Sequence, residues 1–249
     1  MSLIFQTSTP FDVSNSKPLP GIAPLAEEDW LHVDESFAEQ VALRARLIHE
    51  EGQRVIAQTS GSEDACQELC QYVETNLKAK GGLAWDRFQD VRLTDSRDPL
   101  ELIGKTVQED ICILQKDPDN PEGEHVMTAA ILCFPASWLL SEKINRPLTH
   151  IHGTVDDYDP NIARRVQRLF DGIQVGRPLW RWNALWNDTA DLFQPRSVHD
   201  PRPPADPATA PYLRCERQCL LRLPETKAVV FSIHTYMLQR QDALLQWRS

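Results

Sequence analysis

The chain has 249 residues, a net charge of -10, 41% hydrophobic and 25% charged residues, the balance of a soluble globular protein with one large or two small domains. The acidic excess excludes a general nucleic-acid binder, because no basic surplus exists to neutralise phosphates. No run approaches the ~18 apolar residues of a membrane span. Met1 to Pro20 lacks the basic start and apolar core of a secretory signal, so an intracellular, cytoplasmic protein is expected.

Residues 1–33 carry Pro10, Pro18, Pro20 and Pro24 and are expected to form an irregular N-terminal arm. Asp34 can cap a helix whose apolar positions Phe37, Val41, Ala45 and Ile48 recur at three- and four-residue steps. Ser62 opens a second helix, with Glu63 and Asp64 in its first turn and a stripe of Ala65, Leu69, Tyr72, Val73 and Leu77. Gly81-Gly82 ends it. Residues 34–100 therefore read as a helical N-terminal extension. Ile111 to Leu114 and Val126 to Phe134 are extended runs around Asp117-Pro118-Asp119-Asn120-Pro121-Glu122-Gly123, a stretch dense in turn formers, and predict a β-hairpin. Ala136 to Ile144 reads as a short helix.

The stretch Thr149-His150-Ile151-His152-Gly153-Thr154-Val155 holds two of the seven histidines. If extended, His150 and His152 point to one side, which offers imidazole to a metal or a haem iron. The bland alternative is a pair that binds nothing. Asp159-Pro160 starts another helix, with Ile162, Val166, Leu169 and Phe170 on one face, Arg164, Arg165 and Arg168 largely off it, and Gly172 at its end. Arg177 to Trp186 is extended, with Trp180, Trp182 and Trp186 on one side, either a packed sheet face or the floor for a planar ligand. Asp188 to Pro211 is a loop with six prolines. Tyr212 to Leu221 and Ala228 to Leu238 form a second hairpin around Pro224-Glu225-Thr226-Lys227. On its first strand Cys215, Arg217, Cys219 and Leu221 share one face, and Arg214, Glu216 and Gln218 the other. The partner of His234 stays open, because a one-residue slip changes every cross-strand pair.

The six cysteines form no CxxC pair and no four-ligand grouping, so buried free thiols are expected. Neither GxGxxG nor GxxxxGK[ST] occurs. Two strands, helices and three strands follow the order of a PAS-type domain. The expected fold is α+β: a PAS-like antiparallel sheet with helices on one face and the helical extension before it. Residues 101–249 form the PAS-like part, packed with the rest as one globular unit.

Several strings occur together: Pro24-Leu25 to Trp30-Leu31, Val107-Gln108-Glu109-Asp110, Cys133-Phe134-Pro135-Ala136-Ser137-Trp138, Glu142-Lys143-Ile144 to Gly153, Arg177-Pro178-Leu179-Trp180-Arg181, and Tyr212-Leu213-Arg214-Cys215-Glu216-Arg217-Gln218 with its LRLP continuation. In this order the chain resembles the α-subunit-like family of haem-dependent oxidative N-demethylases over most of residues 21–238. The resemblance implies haem b between sheet and helices, and oxidation of an N-methyl group on a small methylated amine by O2, with formaldehyde as co-product. It also implies a separate flavin and iron–sulfur electron donor, since the chain has neither signature. His152 is the implied axial ligand of the haem iron, with His150 as runner-up. Arg214, Gln218 and Arg181 are the implied cofactor contacts, and Glu216 and Arg217 the implied catalytic pair. An Arg–Glu pair that only locks the hairpin is the plain alternative.

Five positions depart from the family pattern: Asn145 stands for glycine, Ala184 for tryptophan, His234 for arginine, and Cys215 and Cys219 for valine and threonine. The chain also ends sooner after its last strand than the pattern leads one to expect. Two further readings compete with the enzyme: a haem-PAS sensor without turnover, and a non-haem metal enzyme built on His150 and His152 with a third ligand not evident in the sequence.

Overall fold

A computed structural model describes residues 3–13, 21–117, 119–152 and 160–246, with the backbone alone described for 152 and 160–163. The elements in order are β1 (Ala23–Pro24), α1 (Phe37–Glu51), β2 (Ile56–Gln58), α2 (Glu63–Lys80), α3 (Gly82–Thr94), α4 (Pro99–Gly104), β3 (Asp110–Gln115), β4 (Val126–Ile131), α5 (Leu140–Lys143), α6 (Leu148–His152), α7 (Pro160–Gly172), β5 (Leu179–Asn187), β6 (Tyr212–Arg222), β7 (Val229–Gln239) and α8 (Arg240–Gln246). The strands make one sheet in the order β1-β5-β6-β7-β3-β4-β2, every pair antiparallel.

Side-chain alternation along β6 decides what each face of the sheet carries. Cys219 and Leu221 join Ile111, Ile113, Ala129 and Ile131 in a core beneath α1, α2 and α4, which contribute Val41, Leu69, Val73 and Ile103. Leu220 joins Cys112, Leu114, Ala130 and Leu132 on the other face, covered by Leu140, Leu148, Ile151 and Phe170 of α5, α6 and α7. Helices therefore cover both faces, the N-terminal extension taking the one opposite α5–α7. Phe11 and Val13 of the arm close the end of the first face with Trp182, Ala184, Trp186 and Tyr236. Phe11 lies flat on Trp182, centroids 5.7 Å apart, so the tryptophan row is packed against the arm.

Three predicted elements differ. The helix over Ala136 to Ile144 is confined to Leu140–Lys143, because Ser137, at φ 64°, turns the chain out of helical geometry. The described start of the histidine stretch is not extended: Leu148–His152 is one turn of helix, with Leu148 and Ile151, three apart, buried on one side. The extended backbone that would turn two alternate side chains to one side is therefore not present over these residues. Gly81 and Gly82, at φ 65° and 73°, end α2 as expected, but α3 starts at once and buries Ala84, Phe88 and Val91.

Candidate functional site

β6 is central in the sheet, yet its Arg214-Glu216-Gln218 row faces the α5–α7 side as a polar strip, with Glu216 and Gln218 half-buried. Register puts Arg181 opposite Gln218 and Asn183 opposite Glu216. The Glu216 carboxylate accepts from Arg214 Nε at 3.3 Å, Gln218 Nε2 at 3.1 Å and Asn183 Nδ2 at 3.4 Å. Arg181 Nε is buried without a hydrogen-bond partner. Burial works against its charge, and the nearby Glu216 carboxylate opposes that. A buried donor left unpaired costs about 1–3 kcal/mol, so this edge of the guanidinium is suited to an acceptor.

Arg214 has no such freedom. Its guanidinium donates to the Leu192 carbonyl (3.2 Å), the Phe134 carbonyl (2.5 Å) and Thr235 Oγ1 (3.4 Å) as well as to Glu216. Phe134 is itself anchored: the amides of Cys133 and Phe134 each donate to the Asp110 carboxylate at 2.7 Å. Asp110 in turn pairs with the fully buried Arg44 at 2.5 Å. Full burial pushes the Asp110 carboxyl above its ordinary value, and Arg44 and the two amides work against that. A chain of contacts thus runs from α1 through the exit of β4 to Glu216.

Arg217 lies on the opposite face. It donates to the carbonyls of Trp30 (2.9 Å) and Asp29 (2.5 Å) and stacks over Trp180. Its cross-strand neighbour is His234, which fills the gap between two carboxylates: Nδ1 is 3.0 Å from Glu109 Oε1 and Nε2 is 3.1 Å from Asp34 Oδ2. Carboxylates only accept, so both ring nitrogens must donate and the ring is an imidazolium. Burial lowers the His234 pKa, but the hydrogen bonds to Asp34 and Glu109 outweigh it and hold the ring above its ordinary value. Burial raises Asp34 too, but bonds from His234, Gln108 and Gln6 bring it down to about 2. The string Val107-Gln108-Glu109-Asp110 now has a physical meaning. Gln108 reaches Asp34 and Gln40, Glu109 holds His234 and the His32 amide, and Asp110 holds Arg44.

Four of the five departures have a physical reason; nothing in the structure explains Ala184. Asn145 sits at φ 58°, a left-handed position that glycine and asparagine tolerate best. His234 supplies the cation that two carboxylates require. Cys215 and Cys219 are buried and burial pushes both thiols up to about 12, as for packed, unreactive cysteines.

His150 is exposed on α6, while the side chain of His152 and residues 153–159 lie outside the described residues. Among the described residues no three of His, Cys, Asp and Glu gather as metal ligands. Two surface cavities, of about 440 and 540 Å3, lie away from the polar strip. In the larger, Lys116 is paired with Asp171, and Arg222 and Lys227 are spent on backbone carbonyls. No described helix is long and apolar enough to cross a membrane.

Sequence reasoning singled out Arg181, Arg214, Glu216 and Gln218, and the fold brings them to one face. It passed over Arg44, took Asp34 only as a helix cap, and gave Glu109 and Asp110 only as part of a family string without a role. The signal for Arg44 was a charged residue on the helical stripe of Phe37, Val41 and Ile48. A family model described as haem-dependent oxidative N-demethylase, alpha subunit-like, matches residues 21–244. The chain belongs to that family.

Proposed function

Proceeding from that membership, we propose that the chain is the haem-bearing catalytic component for oxidative N-demethylation of a small methylated amine, with O2 as oxidant and formaldehyde as co-product. Electrons come from a separate flavin and iron–sulfur protein, since the sequence carries neither signature. Haem b, when bound, supplies the oxygen chemistry. We read the core order β4-β3-β7-β6-β5, with α5–α7 over one face, as the PAS-like frame for it.

The residues fit such a group. Arg181, half-buried with its Nε buried and unpartnered, suits a propionate carboxylate; this observation carries the proposal. Gln218 and Asn183 stand beside it, and Leu220 and the half-buried Phe231 offer an apolar wall to a macrocycle. His152, with His150 as the alternative, would hold the haem iron from α6, whose Leu148 and Ile151 pack on the same face. Glu216, fixed by three donors, receives the amine cation or passes a proton. Arg214, with its donors committed, positions Glu216 rather than touching the cofactor. Arg217 holds the Asp29–Trp30 segment on the far face, so the catalytic role falls to Glu216 alone.

Hemin titration of the apo-protein tests the cofactor side. Arg181→Ala is expected to weaken hemin binding about 10- to 100-fold, and unchanged binding would remove Arg181 from the site. Glu216→Gln is expected to leave hemin affinity intact while raising KM for the amine or lowering kcat by about tenfold or more. Unaltered steady-state kinetics in that variant would take Glu216 out of the reaction.

A further inference from the structure

We propose that Glu124 is the positioning residue for α6, fixing the histidine-bearing turn over the polar face and thereby the geometry of the axial ligand. The inference rests on the assignment of that ligand to α6.

A helix of five residues cannot hold itself together in water, where isolated helices are marginal below about 12–15 residues. Its first amides also have no partner within the helix. Both needs are met from the start of β4. The Thr149 amide donates to Glu124 Oε2 at 2.9 Å, and the Thr149 hydroxyl donates to Glu124 Oε1 at 3.1 Å. The Leu148 amide donates to the His125 carbonyl at 3.1 Å, and Val126 bridges Pro147. Just upstream, Asn145 N donates to the Met127 carbonyl at 2.8 Å and Met127 N to the Arg146 carbonyl at 3.1 Å. Leu148 and Ile151 then seat the turn on the sheet.

The other ties just described run from backbone to backbone; Glu124 contributes a side chain. Its carboxylate takes one bond from the main chain and one from the side chain of the same residue, so it fixes both the height and the rotation of the turn. Ligand sites need such fixing to within about 0.5 Å. The two histidines are one and three residues beyond Thr149, so a rotation at Thr149 passes directly to their rings.

The test uses the full chain reconstituted with hemin, comparing Glu124→Ala, Glu124→Gln and, as a control in the same loop, Glu122→Ala. Hemin loss to apomyoglobin and the ferric electron paramagnetic resonance spectrum are recorded. Glu124→Ala is expected to lose hemin about tenfold faster or more, as for supporting residues behind a metal ligand, and to show altered or mixed ferric signals. Glu124→Gln, which keeps an acceptor, should recover part of the difference, and Glu122→Ala should match the unaltered chain. Hemin loss and spectra unchanged in Glu124→Ala would overturn the proposal. If Glu124→Ala does not fold, Thr149→Val keeps the amide bond and removes the hydroxyl bond. It should then speed hemin loss about two- to tenfold, and no change there overturns the proposal equally. His150→Ala and His152→Ala, each with and without added imidazole, separate the two levels. If neither alters the ferric spectrum, the ligand is not on α6 and the reading beneath the proposal fails. If one does while Glu124→Ala is silent, the positioning role alone fails.

Discussion

His234→Ala is expected to destabilise the fold by about 3–5 kcal/mol, because it leaves the Asp34 and Glu109 carboxylates buried without their shared cation. For a domain of this size that is a fall in Tm of roughly 6–20 °C. The loss is not local. Glu109 also holds the His32 amide, Asp34 also holds Gln6, and Arg217 on the neighbouring strand carries the carbonyls of Asp29 and Trp30. The ring thus adds a charged fastening of the N-terminal arm and the entry to α1 to β7, beside the bonds of Gln6 to Met237, Trp30 to Ser232 and Gln40 to Thr235. The pH dependence has a definite sign. His234 titrates above its ordinary 6.5 in the fold, so its contribution is complete below pH 6.5 and is lost as pH rises through the folded value. His125 is the reverse case: burial depresses it to about 4, so its contribution is lost as pH falls below 6.5. Asp34, brought from 3.8 to about 2, loses its contribution below pH 3.8. Buried Cys112, Cys133, Cys215 and Cys219, pushed up from 9.0 to about 12, add an alkaline loss only as unfolded thiols ionise near pH 9. On the histidines alone Tm should peak near pH 6.5; His234 contributes to the descent above it, the raised Asp110 carboxyl acts in the same sense, and the depressed Lys80 and Lys143 oppose it. In His234→Gln that descent should flatten. A Tm profile of the variant running parallel to that of the unaltered chain would show that the imidazolium is not the source.

Asp110→Ala is the second large effect, at about 3–5 kcal/mol or more. It strands three donors at once: the buried Arg44 guanidinium and the amides of Cys133 and Phe134. Arg44→Leu takes one partner from the carboxylate, which keeps both amide bonds, and one donor each from the Gly104 and Gln108 carbonyls, but leaves no buried cation, and so should cost less than Asp110→Ala. Urea unfolding gives both values, and the reverse order would contradict the view that Asp110 serves mainly to pin the β4 exit. A functional consequence follows from the same contacts. The Phe134 carbonyl holds Arg214, 80 residues further along the chain, and Arg214 holds Glu216, so a loosened β4 exit should disturb the polar strip.

The strands and long helices were legible in the sequence because period and turn chemistry act locally. Alternation in Tyr212 to Leu221 sorted Arg214, Glu216 and Gln218 from Arg217 before any register was known, and the register Arg217↔His234 was then supplied by the fold. The histidine turn was misread because an alternating polar–apolar string imitates a strand, while the helical spacing of Leu148 and Ile151 spans too few residues to stand out. The bonds made to it, those of the Glu124 carboxylate among them, come from the segment leading into β4 and leave no local mark. The charged core was hidden for the same reason. Arg44 looks like a flaw in an apolar stripe, and Asp34 like a helix cap, until Asp110 and His234 arrive from distant strands. Asp34 does still receive the Ser36 amide at 2.8 Å, but its other oxygen serves the sheet.

The central claim is a haem held on the polar strip by α6. The most direct measurement is the absorption spectrum of the chain purified from haem-supplemented cells, oxidised and dithionite-reduced, with and without carbon monoxide, alongside His152→Ala and Arg181→Ala. A stoichiometric Soret band that shifts with carbon monoxide, changes in His152→Ala and weakens in Arg181→Ala is the predicted result. A colourless protein that takes up no added hemin, or a Soret band identical in all three chains, would contradict the account.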